Sequence, residues 1–374
     1  MNKIYLDNAS TTPIRQEVIQ EMANVMQTEF GNPSSTHSFG RGAKVILESA
    51  RKSIAKQLNC SAQEIIFTSS GTEANNWILR NAVTKIGVKR IISTKIEHHA
   101  VLYPILELQK EFGIEVEFLT ILPNGHIDYL QLATLLEDSK PTLVSLMHVN
   151  NETGVVLDLN RVGELCKSVN AYFHSDTVQS IGKTEIDLQE IKVDFLVASA
   201  HKFHGPKGIG FAYIKKNTTI SPMIFGGEQE KGLRAGTEAV HQIAGMAKAL
   251  EIAYQNLDEE RNAIFELKKY TIEKLVQQFP SIKFNGGFET FYSILNVQLP
   301  FSPEKTAMIL FELDMKGIAA SRGSACQSGS IKPSHVLAEI LSEEELRKPS
   351  LRISFNHQNT RDEIDYFISC LAAM

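Results

Sequence analysis

Short runs of β-branched and apolar residues alternate with stretches of helical periodicity between residues 43 and 214, and this alternation restricts the fold more than any other feature. The runs span residues 65–68, 90–94, 116–119, 142–148, 172–175, 195–199 and 210–214. Several place apolar residues at consecutive positions, as strands covered on both faces do. Ahead of them Ala43, Leu47, Ala50, Ile54 and Leu58 recur at spacings of three and four, the signature of a helix face. The pattern predicts an α/β fold with a mainly parallel sheet between helices. From 237 to 279 the chain is charged and amphipathic with no strand signal, and it is expected to link two lobes. Beyond it, strands near 293–298 and 351–355 and helices near 303–316 and 360–371 predict a smaller α+β lobe.

Composition narrows the function. A length of 374 residues suits about two domains. The formal net charge of -5 argues against nucleic-acid or anionic-membrane binding. No apolar run approaches the roughly 18 residues of a membrane helix. Charges at Lys3 and Asp7 interrupt any apolar stretch of signal-peptide type, so a cytoplasmic protein is expected. The four cysteines, Cys60, Cys166, Cys326 and Cys370, lie far apart with no CxxC, against a disulfide scaffold or a zinc ribbon. His201 and His204 have no matching carboxylate or cysteine spacing, so no metal is expected.

Polar punctuation falls just after the candidate strands, where open parallel sheets bind ligands. The turn Thr68-Ser69-Ser70-Gly71-Thr72-Glu73 opens a helix; small residues and free N–H groups suit a phosphate, although a plain helix cap would read the same way. Asp176 ends an apolar strand, as a structural turn residue or as the anion that keeps a pyridine nitrogen protonated. Lys202 follows the apolar run Phe195-Leu196-Val197-Ala198, a costly place unless the amine is paired or reactive, though a solvated loop lysine is the commoner case. Phosphate cradle, aspartate and lysine in that order are what pyridoxal phosphate requires.

Motifs along the whole chain then resemble those of the NifS/IscS-type cysteine desulfurases, within the class V, fold-type I aminotransferase-like enzymes. They are Tyr5-Leu6-Asp7-Asn8-Ala9-Ser10-Thr11-Thr12-Pro13, Phe30-Gly31-Asn32-Pro33, Glu97-His98-His99-Ala100, His148-Val149-Asn150-Asn151-Glu152-Thr153-Gly154, Ser199-Ala200-His201-Lys202, Arg234-Ala235-Gly236-Thr237, Gly323-Ser324-Ala325-Cys326 and Leu351-Arg352-Ile353-Ser354. The resemblance implies a fold-type I enzyme of two domains. The large one, 15–258, would hold a mainly parallel seven-stranded sheet; the small α+β one would join 1–14 to 259–374 and carry the catalytic cysteine loop, about 321–334. It implies pyridoxal 5'-phosphate as cofactor, with Lys202 forming the imine and moving protons. Asp176 would pair with the ring nitrogen, Gln179 with the phenolic oxygen, and His98 would stack on the ring as an acid or base. Gly71, Thr72, Ser199 and His201 would hold the phosphate, joined by Thr237 from a second subunit of a homodimer. Asn151, beside the cofactor, and Arg352 would clamp the substrate carboxylate.

Cys326 decides the reaction that the resemblance implies. Its neighbours are small and polar, as in an exposed loop, whereas a cysteine is more often a buried small hydrophobe, the reading given to Cys60, Cys166 and Cys370. A thiolate there can take sulfur from L-cysteine, leaving L-alanine and a persulfide for an acceptor protein such as an iron–sulfur scaffold or a sulfur carrier. The alternatives are a selenocysteine lyase, another aminotransferase on the same fold, or a cofactor-less accessory protein. Arg322 is a departure, since the family's long-loop group commonly has serine there.

Overall fold

The structure, a computed structural model, describes residues 3–323 and 333–374. In chain order it runs β1 (Ile4–Tyr5), α1 (Gln16–Thr28), α2 (Ser38–Gln57), β2 (Ile65–Thr68), α3 (Gly71–Asn81), β3 (Arg90–Ser93), α4 (His99–Phe112) and β4 (Glu115–Phe118). Then follow α5 (Tyr129–Leu136), β5 (Thr142–Ser145), α6 (Leu159–Ser168), β6 (Tyr172–Asp176), β7 (Phe195–Ser199), β8 (Gly210–Ile214), α7 (Val240–Gln255) and α8 (Leu257–Gln278). The chain closes with β9 (Lys283–Phe284), β10 (Ile294–Gln298), α9 (Lys305–Met315), β11 (Ile318–Ala319), α10 (Glu343–Arg347), β12 (Ser350–Ser354) and α11 (Arg361–Ala372).

Seven strands form the main sheet in the order β2-β8-β7-β6-β5-β3-β4. Only β8 runs against the rest, pairing antiparallel with both β2 and β7. Consecutive apolar residues are needed because both faces are covered. On β7, Leu196 and Ala198 enter one apolar cluster with α1, α2 and α7, while Phe195 and Val197 enter another with α3 and α4. The edge strand β4 is only half-buried along its length, and its sequence alternates accordingly. The predicted run 142–148 stops being a strand at Ser145, although Leu146 and His148 still donate backbone hydrogen bonds to His174 and Asp176.

The stretch 237–279 is two helices that meet at Asn256; α7 packs on α1 and α2, and α8 packs on α11. A separate apolar cluster collects Leu6, Leu295, Val297, Ile309, Ile318, Ile353 and Phe367. Both chain ends enter it, because β1 pairs parallel with β11 and Asp7 bridges to Ser354 beside the antiparallel sheet β12-β10-β9. No helix among the described residues is long and apolar enough to cross a membrane.

Candidate active site

The strands β2, β3, β6 and β7 point the same way, so the turns after them open on one edge of the sheet. There they surround a cavity of about 240 Å³. Gly71, Thr72, His98, Asn151, Asp176, Gln179, Ser199, His201, Lys202 and Arg352 all line it. Two expected members do not. Thr237 is exposed, outside the cavity of its own chain, and Cys326 lies outside the described residues.

Each group has a local reason for its place. After β2, the Ser70 hydroxyl caps α3 by accepting from Glu73 N, which leaves the first N–H groups of that helix at the cavity with Gly71 and Thr72. A Cβ at Gly71 would meet the Val178 side chain at 2.6 Å, so only glycine lets the turn lie this close. Asp176 ends β6 and is nearly buried; its Oδ2 accepts from Asn75 Nδ2 at 2.8 Å and its Oδ1 from Val178 N at 3.0 Å. Both carboxylate oxygens are thereby held in a fixed orientation at the end of the strand.

Lys202 follows β7 in a short 3₁₀ turn, and its Nζ donates to the carbonyls of Ala9 at 2.7 Å and Ser10 at 2.8 Å. The same N-terminal segment reaches further along the turn, where Thr12 donates through N and Oγ1 to His201 O, both at 2.9 Å. Gln179 Nε2 donates to Ala9 O at 2.8 Å, while its Oε1 is buried without a partner. The expected hydrogen bond from Gln179 to a ligand therefore rests on its second amide hydrogen.

His98 caps α4, with Nδ1 accepting from Ala100 N at 3.1 Å, which places the ring proton on Nε2. Burial lowers its pKa, Lys202 and His335 lower it further, and Asp176 opposes them, so the ring is a neutral imidazole. Burial and the charges of Lys202, Lys207 and Lys183 push His201 down to about 4, leaving a neutral ring with Nδ1 at 3.1 Å from Thr11 Oγ1. Arg352, in the middle of β12, donates from Nη1 to Asn151 O at 2.8 Å and from Nη2 to Asp7 Oδ1 at 2.7 Å.

The sequence pattern assigns no role to Asp7, Ala9, Ser10 or Asn75. Their signal was present in the quoted motif around Asp7 and in the turn before α3, but it is spatial, since Arg352 lies 345 positions from Asp7. Two of the other cysteines are poor nucleophiles: burial and Glu64 push Cys60 up to about 12, and burial with Asp194 raises Cys166. Among the described residues no cluster of three or more His, Cys, Asp or Glu could hold a metal ion.

The family model described as aminotransferase class-V matches residues 4–367. A protein of Dictyoglomus turgidum named cysteine desulfurase IscS is 40% identical over 371 residues, 99% of this chain and 93% of that one. A Bacillus subtilis protein named putative cysteine desulfurase IscS 1 is 40% identical over 368 residues, 97% of this chain and 96% of its own length. Among solved structures, one titled NifS-like protein superposes with a TM-score of 0.91 at 34% identity, covering 100% of this chain and 99% of the other. The NifS-like protein from Rickettsia africae superposes with a TM-score of 0.87 at 33% identity and the same coverage.

Proposed function

This chain belongs to the class-V aminotransferase family, and on that premise we propose that it is a pyridoxal-phosphate-dependent cysteine desulfurase. It converts L-cysteine to L-alanine and leaves the sulfur on Cys326 as a persulfide. The observation that carries the reading is one cavity that brings together Lys202, Asp176, His98 and Arg352. The cavity's groups suit this cofactor: a helix N-terminus with Gly71 for a phosphate, a buried carboxylate for a ring nitrogen, and the second Nε2 hydrogen of buried Gln179 for a ring oxygen.

When bound, pyridoxal phosphate supplies an electron sink conjugated to the substrate Cα. The residues of the chain do the rest. Gly71 and Thr72 at the start of α3, with Ser199 and His201, would hold the phosphate. Asp176, oriented by Asn75 and the Val178 amide, would pair with the ring nitrogen. Neutral His98 offers a flat face for stacking, and its Nε2 proton is available for exchange with substrate. Lys202, steered by the Ala9 and Ser10 carbonyls, moves a proton at the substrate Cα. Asn151 and Arg352, both at the cavity wall, would hold the cofactor and the substrate carboxylate respectively. The Cys326 thiolate then attacks the substrate sulfur: an S–S bond forms and the C–S bond breaks. The electron pair stays on the carbon skeleton, which is protonated to alanine.

Further parts of the reading concern assembly. The large domain, 15–258, and the small one, 1–14 with 259–374, form a subunit of a homodimer, in which Thr237 reaches the partner's phosphate site. Exposed Phe30, Phe39 and Phe225 support a protein contact on that subunit. The persulfide passes to an acceptor protein, an iron–sulfur scaffold or a sulfur carrier, in the cytoplasm.

The test uses purified protein loaded with cofactor. Cysteine should give alanine together with sulfide under reductant, and the peptide carrying Cys326 should gain one reductant-labile sulfur by mass spectrometry. Sulfur on Cys60, Cys166 or Cys370 instead, or no alanine, overturns the reading.

A further inference from the structure

Glu152 is fully buried in the turn after Asn151, and its carboxylate meets both ends of the segment that carries Cys326. On one side the Ser334 hydroxyl donates to Oε2. On the other, Gly323 packs so tightly that a Cβ there would lie 3.0 Å from Oε2 and 3.4 Å from Oε1. The backbone that carries the carboxylate is itself held in place. Glu152 N donates to Asn150 Oδ1 at 3.0 Å, and Asn296 Nδ2 of β10 donates to Glu152 O at 3.0 Å.

Both ends are secured next to it. Ser321 exchanges backbone hydrogen bonds with Arg352, at 2.6 and 3.3 Å, and its hydroxyl donates to Gly323 O at 2.8 Å. Ser334 Oγ accepts from the amides of Val336 and Leu337, both at 3.1 Å. His335 Nε2 lies 2.9 Å from Glu97 O, within hydrogen-bond reach of the residue before His98.

A buried carboxylate is costly to keep. Two chain segments meeting at one point give it a use, because closing the loop between them costs entropy that a charge-assisted hydrogen bond offsets. Cys326 is three residues beyond Gly323 and eight before Ser334, so both ends of its segment meet Glu152. We propose that Glu152 is a positioning residue for the sulfur-transfer step, joining residues 323 and 334 so that the segment carrying Cys326 leaves and returns beside Asn151 and Arg352. The proposal rests on the desulfurase reading.

The test compares Glu152→Ala, Ser334→Ala and Glu152→Gln as cofactor-loaded enzymes. The glutamine keeps an oxygen that can accept from Ser334. In Glu152→Ala, hydrogen exchange at Val336 and Leu337 should quicken on the order of tenfold, the effect of one lost charged hydrogen bond, while the main sheet exchanges as before. Its kcat for alanine should fall by a similar factor with KM for cysteine unchanged, since Arg352 and Lys202 remain. Glu152→Gln should recover most of both. Native exchange at Val336 and Leu337 in Glu152→Ala overturns the proposal. So does native turnover, or acceleration spread evenly through the sheet. Should Glu152→Ala fail to fold, Ser334→Ala decides, and native kcat there overturns the role. If the wild type makes no alanine, the desulfurase reading falls, and the exchange measurement alone still judges whether Glu152 joins the two ends.

Discussion

Arg352 Nη2 lies 2.7 Å from Asp7 Oδ1, joining the strand near the end of the chain to the segment that follows its first strand. The guanidinium is 1% exposed and the aspartate 20%, so the pair is nearly desolvated. Arg352 also lines the cavity, with its Nε buried and unpartnered. A carboxylate entering the cavity therefore shares Arg352 with Asp7.

Asp7→Asn removes the countercharge from a buried arginine. Stability should fall by about 3 kcal/mol, the usual cost of breaking such a pair. Affinity for a carboxylate ligand such as alanine should rise, since the competing anion is gone. Thermal unfolding with and without alanine reads both effects. An alanine-induced shift no larger than that of the wild type would show that Asp7 does not compete for Arg352.

Lys202→Ala should abolish alanine production and leave a folded protein that binds the cofactor without a covalent link. Phosphate, ring and carboxylate contacts come from other residues, whereas the imine and the proton transfer come from this amine. The loss of its bonds to Ala9 and Ser10 should also loosen the N-terminal segment. Activity, cofactor retention on desalting, and exchange at residues 9–12 are the measurements. Near-native turnover would remove Lys202 from the mechanism.

Cys326→Ser keeps the side-chain size and replaces a thiol that ionises near neutral pH with a hydroxyl that does not. Cofactor binding and the absorbance response to cysteine should survive, while alanine and protein-bound sulfur should both be absent. A transaminase would not depend on this residue. Full alanine production by the variant would sink the sulfur-transfer assignment.

Glu97 carries a pH dependence. Burial raises its carboxyl to about 8, and the charge of Asp176 adds to the shift; Oε1 accepts from Met147 N at 2.8 Å, and Oε2 is buried without a partner. A folded pKa above the unfolded value of 4.5 means its stabilising contribution is complete below 4.5 and lost as pH rises through about 8. Glu97→Gln is neutral at every pH and keeps the acceptor for Met147. The variant should thus gain melting temperature relative to the wild type between about pH 5 and pH 9. Parallel curves would show that Glu97 ionises freely in the folded protein.

The strands of the main sheet were legible because burial on both faces demands consecutive apolar residues, and that demand is written locally. Residues 65–68, 195–199 and 210–214 form strands with the limits their composition predicts. The turns holding Thr72, Asp176 and Lys202 were legible for a related reason: a charged or small polar residue directly after a buried strand is conspicuous in a short window. The reversed direction of β8 was not legible, since its composition matches that of its parallel neighbours.

Nor did any window pair Asp7 with Arg352, Ala9 and Ser10 with Lys202, Asn75 with Asp176, or Glu152 with Ser334. By itself, the sequence determined which elements form and which chemical groups stand at their ends, because periodicity and the cost of burying polar atoms act between near neighbours. Only the tertiary structure decided which of those groups meet. That depends on strand order, and on a shared apolar cluster that brings Leu6 and Ile353 together, and no local pattern encodes the distance between them.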